Sequence, residues 1–126
     1  MTPDALLAQI LGRSDQILWL WNFYVVVAAA LIVYALGSQA LRADRRAFRL
    51  VAGGFVFFAY TNLECMRWVV KQWVAVAAAF RETAAYAQAS AAVREQLDGV
   101  ISAPHPLWIV PFHLALDALV LVVVWR

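Results

Sequence analysis

The stretch from Leu50 to Phe80 constrains this chain most, because it is apolar enough to enter a bilayer yet carries Glu64, Arg67 and Lys71. Charges in such a run need a physical account, since an ionised group near mid-bilayer costs at least about 2.5–3.5 kcal/mol on insertion scales. At roughly 100° per residue on a helix, Gly53, Phe57, Tyr60, Glu64, Arg67, Lys71, Ala75 and Ala78 fall on one stripe. The ionisable side chains therefore share a face, and Asn62 stands on the opposite one among apolar residues.

Composition points the same way. The chain has 126 residues, one domain's worth, of which 65% are hydrophobic and only 14% charged. That apolar share, with a mean hydropathy of +0.74, is far above the roughly 45–50% of soluble domains. The charges sit in short segments between long apolar runs, where a soluble bundle would spread them along helical faces. Six Trp and four Tyr suit two interfacial belts. A net charge of +2 gives no basis for a nucleic-acid partner, and Cys65, the single cysteine, excludes an internal disulfide.

Along the chain, Thr2 to Leu11 reads as a short amphipathic helix: Thr2 caps, Pro3 takes the first helical position, and Leu6, Leu7, Ile10 and Leu11 recur on one side. Gly12 is expected to end it. Ser14 and Asp15 then cap a second helix whose residues 17–36 are almost uninterruptedly apolar, the length needed to cross a hydrocarbon core of about 30 Å. Trp19, Trp21 and Tyr24 crowd its first turns as an aromatic belt, and Gly37-Ser38 closes it. The connection to Arg49 carries Arg42, Arg45, Arg46 and Arg49 against Asp44 alone. By the positive-inside rule this loop is cytoplasmic, which puts the N-terminus outside and the C-terminus inside. A second span covers about 50–71, an alanine-rich helical segment about 80–100 follows outside the membrane, and Ala103-Pro104-His105-Pro106 punctuates the chain before a third span, about 107–125, with Pro111 near its start.

The expected fold is all-α: a polytopic membrane protein with three transmembrane helices, a short N-terminal amphipathic helix and a helical extramembrane segment after the second span. Trp19, Trp21, Lys71, Trp73 and Trp125 are its expected interfacial anchors.

Depth follows from a rise of about 1.5 Å per residue. Entering from the cytoplasm at Leu50, Glu64 lies roughly 21 Å up and Arg67 roughly 25 Å. The third span runs the other way, so His113 lies about 9 Å below the outer surface and Asp117 about 15 Å. Four residues apart, the latter two share a helical face. The expected intramembrane polar network is Glu64, Arg67, His113 and Asp117, with Tyr60 and Asn22 as hydrogen-bonding supports. Its functional reading is an ion or proton path in which His113 titrates; its structural reading is an ion-pair network that joins helices in lipid.

Nothing here names a reaction. G-x-S-x-G, H-E-x-x-H and phosphate-binding glycine loops are absent, so no residue is assigned a catalytic role, and an enzyme using Glu64 and Asp117 as acid and base is a minor reading. His113, Asp117 and Glu64 without a further motif make no metal site. His105 and His113 on one segment do not give paired haem ligands, so no cofactor is expected. The expected partners are the lipid bilayer and either further copies or other membrane subunits. Two functions follow: a homo-oligomer forming an ion- or proton-conducting path, or a non-catalytic accessory or anchoring subunit of a larger membrane complex.

Overall fold

The computed structural model describes residues 1–39, 43–102 and 106–125, the side chains of 106–108 and 124–125 excepted. Arg42, the Ala103-Pro104-His105 punctuation, Arg126 and the side chain of Trp125 lie outside what is described. The described chain is helical, with helices α1 (Pro3–Gly37), α2 (Arg45–Arg81), α3 (Ala84–Gln88), α4 (Ala91–Ile101) and α5 (Pro106–Trp125). One of them, α1, is by length and composition long and apolar enough to cross a membrane, and Ile109–Val123 forms a shorter apolar helix.

The first helix corrects the sequence reading. Thr2 does cap it, its hydroxyl accepting from the amide of Ala5 at 3.3 Å, with Pro3 in the first turn. Gly12, however, does not end it, and Ser14 and Asp15 start nothing: one helix of 35 residues runs to Gly37. A single glycine costs a helix only about 0.5–1 kcal/mol relative to alanine. Leu6 and Ile10 before it and Ile17 after it are buried in one apolar cluster with Leu63, Met66, Val69, Val70, Trp73, Ala77 and Phe80 of α2. Burying those side chains on both sides of Gly12 outweighs that cost. The first turns thus pack on the chain's own α2 and on Ile101 of α4. A Cβ at Gly12 would meet nothing within 4 Å, and no described glycine has positive φ. Gly12→Ala is therefore expected to raise stability by about 0.4–1 kcal/mol, read as a higher unfolding midpoint; a lower midpoint would mean that the helix breaks there after all.

Asp44 starts α2, its carboxylate accepting from the amide of Arg46 at 2.8 Å, and the helix runs 37 residues. At about 1.5 Å per residue, α1 and α2 are each over 50 Å long and outreach a hydrocarbon core. They run antiparallel. A second cluster, around Tyr24, Ala28, Ala35, Phe55, Ala59 and Val120, fills the other end of their seam, where the small alanines let the backbones approach.

Beyond α2 the chain breaks twice, at Thr83 and Ser90, whose side chains cap α3 and α4. It then doubles back along α2. The indole N–H of Trp73 donates to the carbonyl of Ile101 at 2.9 Å. The Arg81 guanidinium meets Asp98 at 3.2 Å, and the Tyr86 hydroxyl donates to the other Asp98 oxygen at 2.9 Å. Helix α5 runs through Pro111 and packs against both long helices through Ile109, His113 and Val120, which are buried.

Candidate functional site

The three long helices α1, α2 and α5 meet at a polar cluster enclosed in apolar side chains. His113 is fully buried, Asn62 is 5% exposed, and Tyr24 is fully buried; Asp117 keeps 17% of its side chain accessible. The i, i+4 spacing on α5 sets the first contact, His113 Nδ1 to Asp117 Oδ2 at 3.0 Å. Packing supplies the others. Tyr24 of α1 donates its hydroxyl to Asp117 Oδ1 at 2.6 Å. Asn62 of α2 faces His113 Nε2 through its Oδ1 at 3.3 Å and donates its Nδ2 to the backbone carbonyl of Leu20 at 3.2 Å. One continuous hydrogen-bonded chain therefore ties α1 to α5, α5 to α2, and α2 back to α1.

Aromatic rings seal it. The Tyr24 ring centre lies 4.2 Å from that of His113 and stacks on Phe58 at 6.2 Å. Trp21 packs beside Tyr24, their ring centres 6.1 Å apart, and lies 5.7 Å from the imidazole and edge-on to Phe112 at 5.5 Å. A low-dielectric wall of this kind strengthens each hydrogen bond inside it and makes an unmet one costly.

The residues singled out from the sequence divide into two groups. His113 and Asp117 are joined in this cluster. Glu64 and Arg67 pair with each other instead, at 2.6 Å, with 43% and 48% of their side chains accessible, on the face of α2 that the rest of the described residues leaves uncovered. Tyr60 and Lys71 are exposed on that same stripe, and Asn22 is exposed on α1; these do not join the cluster. The buried face of α2 is the opposite one, with Phe55, Ala59, Asn62, Leu63 and Met66. Tyr24 and Asn62 complete the cluster and were not singled out for it. A signal for Asn62 existed: it is the one amide on an otherwise apolar face. Of the expected anchors, Trp19 is exposed and stacked on Phe23 at 5.4 Å and Lys71 is exposed. Trp21 is half-buried against the cluster, and Trp73 is buried against Ile101.

Among the described residues, no three His, Cys, Asp or Glu side chains converge so as to hold a metal ion. No protein-family model matches the chain, and no curated protein or solved structure matches it.

Proposed function

We propose that the chain is a three-span membrane protein that works as an assembly of identical copies, with the N-terminus outside and the arginine loop and C-terminus in the cytoplasm. In this reading the outward stripe of α2, Tyr60, Glu64, Arg67 and Lys71, borders an ion- or proton-conducting path between subunits. The observation that carries it is the uncovered Glu64–Arg67 pair. Ionised groups at bilayer depth face protein or water, and the chain's own helices lie against the other side of α2. Another subunit, or water held between subunits, must supply what this chain does not. His113 and Asp117, enclosed by three helices, serve here as the joint that holds the stripe in position.

A second reading, an accessory or anchoring subunit whose α2 stripe pairs with a partner's span, draws support from the pair's mutual neutralisation, which suits a dry helix interface. Native mass spectrometry of the protein expressed alone, followed by flux assays in vesicles, separates the two. A single homo-oligomeric mass is expected. Glu64→Gln, which breaks the pair and leaves Arg67 and Lys71 uncompensated, is expected to change cation flux about fivefold, the factor that accompanies about 1 kcal/mol, while the mass stays the same. Unchanged flux overturns the path, and a monomeric or polydisperse mass points to the partner subunit.

A further inference from the structure

The hydrogen-bond inventory of the buried cluster counts a proton. The carbonyl of Leu20 only accepts, so the Asn62 atom 3.2 Å from it is the amide nitrogen, and the atom facing His113 Nε2 is the amide oxygen. That oxygen also only accepts. Nε2 must therefore carry hydrogen. On the other side of the ring, Nδ1 lies 3.0 Å from Asp117 Oδ2, while the Tyr24 hydroxyl spends its one hydrogen on Oδ1. With a neutral imidazole already protonated at Nε2 and an ionised carboxylate, two lone pairs would confront each other at 3.0 Å, on a ring nitrogen that solvent does not reach. One hydrogen has to lie between them.

We infer that the His113–Asp117 pair holds one shared hydrogen beyond the one on Nε2, and that this hydrogen closes the joint between α1, α2 and α5. Two arrangements satisfy the count: imidazolium against carboxylate, or an imidazole with Nε2–H accepting at Nδ1 from a protonated carboxyl. Both carry the same one proton, and the pair owns it jointly. Among the described residues, no hydrogen bond brings another donor to that gap. From α1 the group that faces the pair is Tyr24, already engaged at Oδ1, and from α2 it is the neutral Asn62. Glu64 and Arg67 are paired on the far side of α2, and α5 carries no further charged residue between Pro106 and Trp125. The site is independent of the α2 stripe and stands whether or not that stripe borders a path.

The test is isosteric. In Asp117→Asn the new amide nitrogen donates to Nδ1 and its oxygen accepts from Tyr24, so the cluster closes with no bound proton. The experiment uses the full-length protein with ¹⁵N-labelled histidine and ¹³C-labelled aspartate, reconstituted in lipid nanodiscs, with His105→Gln so that His113 is the only histidine. Ring nitrogen and carboxyl resonances are read at neutral pH. The expected wild-type result is either two ring N–H groups with an ionised Asp117, or Nε2–H alone with a protonated Asp117. Asp117→Asn is expected to give Nε2–H alone and an unfolding midpoint close to the parent, with Asp117→Ala well below both. A neutral ring protonated only at Nδ1 beside an ionised Asp117 would overturn the inference, because Asn62 would then be turned about and no extra proton bound. So would an Asp117→Asn variant as destabilised as Asp117→Ala.

Discussion

Replacing His113 by alanine is expected to lower the stability of this protein by about 3–5 kcal/mol, the cost of leaving one partner of a buried pair uncompensated. The imidazole is completely enclosed and mediates two of the cluster's links, to Asp117 at 3.0 Å and to Asn62 at 3.3 Å. Its removal strands the Asp117 carboxylate with Tyr24 as its only partner among the described residues and leaves the Asn62 carbonyl oxygen facing a void. The space vacated beside Trp21 and Tyr24, which both pack on the ring, adds a cavity to the lost hydrogen bonds. Since α5 is joined to α1 and α2 through this point, the damage should fall on the docking of α5. The measurement is the denaturant midpoint in detergent micelles, alongside amide exchange of residues 109–123. A midpoint within about 1 kcal/mol of the parent, the ordinary size of a single substitution, would show that apolar packing alone seats α5. Faster exchange confined to α5 would show that the cluster is what seats it.

The sequence disclosed parts of this architecture unevenly, and the reason is which coordinates it specifies. Periodicity and hydropathy identify helices along their length, so the long apolar runs and the helical character of the alanine-rich segment after Phe80 were legible. Local spacing also fixed the His113–Asp117 contact, because four residues on a helix bring two side chains together whatever surrounds them. Asn62 meets His113, so Glu64, two residues on, and His113 do belong to neighbouring turns of facing helices. What position along the axis leaves undetermined is rotation about it. The requirement that a charge face protein pointed the Glu64 stripe inward, but Asn62, two residues earlier and so about 200° away on the helix, is the residue that meets His113. The apolar face of α2 made the better core because Phe55, Leu63, Met66 and Trp73 interdigitate with α1 and bury more surface. Gly12 misled for a similar reason: its backbone cost is local and small, whereas the burial that overrides it comes from residues of α2 more than fifty positions away. Tyr24 was hidden by its company, since a tyrosine beside two tryptophans near a span's start reads as an interfacial belt.

Trp73→Ala is expected to cost about 3–5 kcal/mol, the range for removing a buried tryptophan, and to loosen a different part of the molecule. The indole is 5% exposed and sits within the cluster formed by Leu6, Ile10, Val69, Val70, Ala77 and Ile101, where it brings together the start of α1, the C-terminal half of α2 and the end of α4. Its N–H also supplies the donor for the carbonyl of Ile101, a residue itself completely buried, so water cannot replace it. Trp73→Phe separates the two contributions. It keeps an aromatic ring in place while orphaning that carbonyl, at a cost of about 1–3 kcal/mol. The returning segment is then held by its more exposed contacts, Arg81 and Tyr86 to Asp98, and pairs of that kind contribute little. Trypsin cleavage after Arg94, which is exposed in α4, reports the opening directly. A loss of about 1.4 kcal/mol in the closed state corresponds to about tenfold faster cleavage when reclosing outpaces the protease. Acceleration in Trp73→Phe with an unchanged global midpoint would mean that the hydrogen bond latches α4 onto α2 as a separately opening unit. Equal losses in both measurements would mean that the return of the chain and the three-helix core unfold together, and cleavage at the parental rate would show that Asp98 alone holds the segment down.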